Sequence, residues 1–244
     1  MDSTKIQEFA PAKINLYLHI LGRRDDGYHN LDSLVVFANI GDNLLLEKSS
    51  TYSLELTGSF ATELISTSAE ENLVLQAADV VAHCVKEIPP GGDIILEKNL
   101  PISAGIGGGS SDAAACIRAL LKLHGQSLSD IARQQIALAV GADVSVCLHA
   151  KASRMMGAGH TVEPYKGLPD LFGVLVNPGV QISTAEIFSQ TQLPRGQNTD
   201  RQEVDLPARF ASPAELCDFL QETSNDLQEH AMKQSPSIQT VLQQ

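Results

Sequence analysis

Tryptophan is absent from the sequence, and aromatic residues of all kinds make up only 5% of it. A core built from this chain is therefore aliphatic, and a hydrophobic fraction of 43% over 244 residues supplies the Leu, Ile, Val and Ala for one large domain or two modest ones. Positive charge is scarce: 17 Lys and Arg stand against 29 Asp and Glu, a formal net charge of -12. Nucleic-acid and anionic-membrane binding need a basic field, so the balance argues against both. An anionic ligand must instead find local positive potential, in a few Lys or Arg side chains and in backbone N–H groups. Cysteine is confined to Cys84, Cys116, Cys147 and Cys217, each in an apolar run and none in C-x-x-C spacing. Buried free thiols are expected, not a zinc site or a disulfide framework. No apolar stretch approaches the length of a membrane span, and the start of the chain has no signal-like apolar region, so a cytoplasmic protein is expected.

The pattern along the chain mixes periods. Residues 13–21 alternate, with Ile14, Leu16, Leu18 and Ile20 on one side and Lys13, Asn15, Tyr17 and His19 on the other, which predicts a half-buried strand with a polar face. Residues 22–30 read as a loop. Further strands are predicted at 34–37, 44–47, 52–56, 94–97, 144–148 and 172–176. Helical spacing predicts helices over roughly 70–86, 111–124 and 130–140, with Gly125 and Gly141 as stops, and helical pattern resumes near Ala214. Residues 190–213 read as a linker or loop. Because strands and helices do not alternate strictly, the expected class is α+β rather than a doubly wound sheet. The composition changes near residue 160, which suggests domains at 1–160 and 161–244.

The richest stretch is Pro101, Ile102, Ser103, Ala104, Gly105, Ile106, Gly107, Gly108, Gly109, Ser110, Ser111, followed by Asp112 and three alanines. It lies between a predicted strand and an apolar-striped helix. Its glycines remove side chains that would hold a phosphate away from the backbone. Ser110 and Ser111 suit a helix N-cap and can donate to phosphate oxygens, and the helix start favours an anion. A plain glycine-rich linker would be polar on both sides. The stretch lacks the Gly-Lys-Ser/Thr of a Walker A loop and the βαβ setting of a dinucleotide fingerprint.

This turn is similar to the phosphate loop of the galactokinase–homoserine kinase–mevalonate kinase–phosphomevalonate kinase (GHMP) superfamily, with Ile106 at the usual Leu position. Three more segments resemble the 4-diphosphocytidyl-2-C-methyl-D-erythritol kinases within it. These are Pro11 to Leu18 continuing to the Gly22–His29 loop, Gly141-Ala142-Asp143-Val144, and Asn177-Pro178-Gly179 through Thr184 to Phe188. The resemblance implies a two-domain GHMP kinase fold, with an amino-terminal ribosomal protein S5 domain 2-like part and a carboxyl-terminal ferredoxin-like part. It implies ATP as co-substrate with Mg2+, and phosphorylation of a small-molecule alcohol in isoprenoid precursor synthesis by the non-mevalonate route. The protein ligands of the metal stay open: Ser111 is one by superfamily analogy, and a mere cap equally well.

By the same resemblance, Lys13 and Asp143 flank the reacting hydroxyl. Asp143 would accept its proton, and Lys13 would keep Asp143 ionised and steady the transferring phosphoryl group. On their own, Asp143 reads equally as a turn or cap residue and Lys13 as a solvated strand residue. Tyr28 and His29 are implied as pyrimidine contacts, with Asn15, Thr184 and Phe188 completing that pocket. Asn72 and Lys98 correspond to positions near the adenine end of ATP, although cap and surface roles suit them as well. The chain departs from the family in Ser145 for a common Pro and His160 for a common Glu. It also has no second Gly-Ser-Gly loop after Asn225-Asp226-Leu227. A shortened, weakly active or inactive nucleotide-binding relative and a sister kinase for homoserine or mevalonate are the competing readings. A chain ending at Gln244 is expected to close poorly over the phosphates and to leave apolar surface uncovered.

Overall fold

A computed structural model of the chain describes residues 4–64 and 72–243. It divides into two units. The first comprises Met1–Lys13, Phe37–Ile102 and Ile106–Ala150; the second comprises Ile14–Val36, Ser103–Gly105 and Lys151–Gln244. Two long strands, β1 (Lys5–Arg23) and β2 (His29–Glu47), run through both units, so residues 14–36 join the second despite their early place in the chain.

The first unit adds β3 (Tyr52–Thr57), α1 (Leu73–Cys84), β4 (Gly92–Glu97), α2 (Gly108–Leu123), α3 (Asp130–Val140) and α4 (Val144–His149). The strand order is β3-β4-β2-β1, with β3 parallel to β4 and β4 antiparallel to β2. Leu44, Leu46, Ile94 and Leu96 bury one face of this sheet. Helix α2 packs against α1 and α4, and its run Ala113–Ile117 has no exposed surface. Small side chains there let backbones approach closely, the packing an aliphatic core with few rings uses. Gly141 ends α3, as the sequence predicts, and Ser129 caps its start by accepting from the Ala132 N–H.

The second unit contains β5 (Ser153–Gly157), β6 (Thr161–Pro164), α5 (Thr184–Ser189), the short β7 (Gln197–Asn198), α6 (Pro213–Gln221), α7 (Gln228–Gln234) and α8 (Pro236–Leu242). Here β5 pairs with β2 and β6, and β7 pairs with the end of β1, all antiparallel. Apart from β7, residues 191–211 form no regular element, as the linker expectation has it. They are nevertheless anchored. Asp32 is fully buried and takes the Arg154 guanidinium on both oxygens at 2.9 and 2.8 Å, the Val204 N–H at 2.7 Å and the Tyr17 hydroxyl at 3.1 Å. Burial works to raise this carboxyl, but those four donors outweigh it and hold Asp32 below its ordinary range. The resulting stabilisation is full above the unfolded-state value near about 4 and is lost as acid protonates the folded carboxylate. Arg154→Met should strand a buried charge and cost about 3 kcal/mol. A thermal midpoint lowered by about 6 °C or more at pH 7 is expected; an unchanged midpoint would show that Tyr17 and Val204 suffice.

Several expectations change. The polar side of β1 is not solvated: Lys13, Tyr17 and His19 are each buried. The strands at 34–37 and 44–47 are parts of the single strand β2, and only residues 24–28 remain as the loop between β1 and β2. Residues 144–148 form helix α4, not a strand, because this short apolar run packs its buried face on α2. Helix α1 spans Leu73–Cys84; positions 70 and 71 of the predicted helix lie outside the described residues. Residues 172–176 form no strand. Phe172 and Val174 are 98% and 87% exposed, since no described strand pairs with the segment and alternation alone does not supply the backbone partner a strand needs.

Candidate functional site

The glycine-rich turn opens α2 earlier than the sequence suggests. Gly107, not Ser110 or Ser111, is the N-cap, with φ +65 in the left-handed region. Its glycine identity is required twice. A side chain would be strained at that φ, and an added Cβ would stand 3.1 Å from Lys13 Cβ and 3.2 Å from Lys13 Cε. Lys13 is tied to the turn a second time by its own N–H, which donates to the Ile106 carbonyl at 2.8 Å. The first intrahelical bond of α2 runs from the Ser111 N–H to the Gly107 carbonyl. The N–H groups of Gly108, Gly109 and Ser110 therefore have no partner within the helix, as helix starts leave them. Ser111 is buried one turn further in, and its hydroxyl has no hydrogen-bond partner among the described residues. Earlier in the turn, Ser103 adopts φ +52, and its carbonyl accepts from the Ile182 N–H at 3.1 Å. Pro101, Ile102, Ala104 and Gly105 complete the turn, and among the described residues nothing stands within 4 Å of where a Gly105 Cβ would be.

Lys13 Nζ donates to Asp143 Oδ2 at 2.8 Å. The lysine side chain is 5% exposed and the carboxylate 37%, so a charge that burial would otherwise penalise is paired with one that still meets solvent. Asp143 precedes α4 but makes no side-chain capping bond. Asp143 thus stands in a turn at the N-cap position of α4, as the turn-or-cap alternative has it, but its carboxylate goes to Lys13 and not to a helix N–H, and Lys13 is buried, not solvated.

Asn72 caps α1, its Oδ1 accepting from the Val74 N–H at 2.9 Å. Lys98 is 1% exposed, and its ammonium is shared by Asp42 and Asp112 beneath the turn. It does not present its charge to solvent, so the surface alternative for Lys98 is not met. Sequence reasoning misses Asp42 and Asp112. The visible signal is Asp112 itself, an acid placed one residue after two phosphate-loop serines, where an unpaired carboxylate would oppose an anion.

In the second unit, His29 stacks on Phe188 with ring centroids 5.0 Å apart and planes 28° apart. Its Nε2 lies 3.0 Å from Thr191 Oγ1, whose own hydroxyl donates to the Phe188 carbonyl at 2.9 Å. With that hydrogen committed, Nε2 is the donor and Nδ1 is left as the acceptor of the ring. Burial first, and the Arg23 charge second, lower the His29 value, so the ring is neutral at pH 7. Thr191 is a partner the sequence does not reveal. Tyr28 is 61% exposed on the β1–β2 loop. Thr184 is exposed in the first turn of α5, after the N-cap Ser183. Asn15 donates to Ser33 Oγ at 2.7 Å, and Ser33 Oγ donates to the Tyr17 carbonyl. No helix among the described residues is long and apolar enough to cross a membrane.

Residues 72–151 match the model of the GHMP kinases N terminal domain. The chain is 45% identical to a 4-diphosphocytidyl-2-C-methyl-D-erythritol kinase of Dinoroseobacter shibae over 98% of this chain and 78% of that protein. It is 43% identical to the protein of the same name from Paramagnetospirillum magneticum over 96% of this chain and 79% of the other. A crystal structure of a 4-(cytidine 5'-diphospho)-2C-methyl-D-erythritol kinase is similar at a TM-score of 0.67 and 28% identity, covering 97% of this chain and 81% of that one. A homoserine kinase from Cytophaga hutchinsonii shares the fold at a TM-score of 0.53 and 21% identity, over 79% of this chain and 61% of that one.

Proposed function

Because this chain belongs to the 4-diphosphocytidyl-2-C-methyl-D-erythritol kinase family of GHMP kinases, we propose that it transfers the γ-phosphoryl group of ATP to the 2-hydroxyl of 4-diphosphocytidyl-2-C-methyl-D-erythritol. The observation that carries this for the chain's own residues is the Lys13–Asp143 pair held against the glycine-rich turn.

The hydroxyl oxygen forms a bond to the γ-phosphorus as the bond from that phosphorus to the β–γ bridging oxygen breaks, and the electron pair leaves with ADP. The hydroxyl proton goes to the Asp143 carboxylate. Lys13 keeps that carboxylate oriented, and its charge favours the negative charge spread over the transferring oxygens. The free N–H groups at the start of α2 and the Ser111 hydroxyl are suited to phosphate oxygens. Such a reaction asks mainly for positioning and electrostatics, which these groups supply. ATP enters as its magnesium complex, so the ion belongs to the substrate and neutralises phosphate charge there. The neutral His29 ring, fixed by Phe188 and Thr191, suits a pyrimidine, with Nδ1 an acceptor for an exocyclic amine and Tyr28 an exposed ring for stacking.

The test is an ADP-release assay with ATP, magnesium and the cytidine substrate. Turnover with this alcohol, lost in excess chelator, is expected. Turnover with homoserine or mevalonate alone would overturn the substrate assignment, and ATP binding without turnover of any alcohol would overturn the kinase reading. His29→Ala should raise KM for the cytidine substrate about tenfold, the scale of a lost stacking and hydrogen-bond pair, with KM for ATP within about twofold of the parent protein. Equal rises for both would reassign His29 to a structural role.

A further inference from the structure

The three charged groups Asp42, Lys98 and Asp112 are almost wholly buried, at 0%, 1% and 2% exposure. Asp42 lies on β2, Lys98 follows β4, and Asp112 lies on α2. Their contacts meet the glycine-rich turn at both of its stems. At the incoming stem, Asp42 Oδ1 accepts the N–H groups of Asn99 and Leu100, the latter at 2.8 Å, just before Pro101. At the outgoing stem, Asp112 on α2 binds the Lys98 ammonium, which also binds Asp42 Oδ2. The ammonium and Asp42 Oδ2 lie 3.8 and 3.9 Å from where a Gly108 Cβ would stand. Lys98 is itself pinned along its backbone. Its N–H donates to the Thr57 carbonyl at 2.7 Å, and its carbonyl accepts from the Phe60 N–H at 3.1 Å.

Two carboxylates on one ammonium leave a net negative charge when all three are ionised. Asp112 Oδ1 is buried with no hydrogen-bond partner among the described residues, so the cluster has a place for one more proton. A buried ionic cluster is weak evidence of a stabilising role, since apolar side chains of similar volume often serve as well.

We propose that Asp42, Lys98 and Asp112 are positioning residues for ATP, a clasp that holds both stems of the glycine-rich turn and whose proton count sets the charge behind it. The inference rests on the reading of that turn as the ATP phosphate site. Burial first, and the Asp42 charge against the pull of Lys98, push Asp112 up to about 7. The groups that face it are Lys98 and Asp42, with the Cys147 thiol from α4 nearby; burial pushes that thiol up to about 12, so it stays neutral. A proton on Asp112 makes the clasp neutral and favours bound phosphate. Its loss as pH rises through about 7 places a negative charge behind the turn and weakens ATP binding.

The experiment compares the parent protein with Asp112→Asn and Lys98→Met, measuring KM for ATP and for the cytidine substrate from pH 6 to pH 8.5. ATP's own ionisation is common to all three proteins. In Asp112→Asn the rise of ATP KM with pH should be about fivefold smaller than in the parent, because the titrating charge is gone. In Lys98→Met the ATP KM should rise about tenfold or more, with the KM for the cytidine substrate within about twofold of the parent. An Asp112→Asn profile that follows the parent, or equal shifts of both KM values in the variants, would overturn the clasp. If Lys98→Met does not fold, the Asp112→Asn profile decides alone. Failure of the parent protein to bind ATP at all would overturn the phosphate-site reading itself, which separates the two failures.

Discussion

Asp143→Asn is expected to lower kcat by about 100-fold or more, the scale of a lost general base, with KM for both substrates within about threefold of the parent. The amide keeps the size of the carboxylate and can still accept from Lys13 Nζ, so the pair's 2.8 Å contact has a neutral substitute. What it loses is the capacity to take the hydroxyl proton. The carboxylate is partly exposed and caps no helix, so neither core packing nor the start of α4 depends on its charge. The thermal midpoint should therefore move by less than about 2 °C. Turnover near that of the parent would remove Asp143 as the base. Lys13→Ala is expected to lose turnover on a similar scale, but with a stability cost as well, because its stem packs under Gly107 and only 5% of the side chain is exposed.

Gly107→Ala should reduce kcat about tenfold or more and stability by about 1 kcal/mol. The left-handed φ of +65 accounts for the stability loss. The turnover loss comes from the added Cβ, which stands 3.1 Å from Lys13 Cβ, closer than ordinary contact. Either Lys13 yields, displacing its ammonium from Asp143, or the turn yields, displacing the helix start that faces phosphate. Gly125→Ala separates the two effects. Gly125 has a similar φ of +61 at the far end of α2, and nothing lies within 4 Å of its Cβ position. It should show the same stability loss with full turnover. Equal turnover losses in both variants would mean that backbone strain alone, and not the approach to Lys13, limits the reaction.

Local chemistry made much of this molecule legible from its residues. Gly107 to Ser111 between an apolar strand and an alanine-rich helix specifies a turn suited to an anion, because free helix-start N–H groups and absent side chains are properties of that stretch itself. The α3 boundaries follow from Ser129 and Gly141 for the same local reason. Family resemblance at Lys13, Asp143, His29 and Phe188 then names the residues to bring together. The structure pairs Lys13 with Asp143, 130 positions apart, and stacks His29 on Phe188.

Other features depend on what each segment meets. Residues 144–148 are too short and too uniformly apolar for period to choose between strand and helix, and contact with α2 makes them a helix. Residues 172–176 have a strand's composition but no described backbone partner, so composition alone does not make them one. The clasp is the clearest case. Asp42 lies 56 positions from Lys98, and Lys98 lies 14 from Asp112, so nothing in their spacing joins them. Pairing of β4 with β2 and the seating of α2 bring the three charges together. Once they are buried, the low polarity of their surroundings turns ordinary surface residues into a tightly coupled set. Sequence by itself determined the glycine-rich turn that opens α2 and the residue types proposed for transfer. Tertiary structure decided which charges face that turn and which are locked behind it, because burial and long-range proximity exist only after the chain has packed.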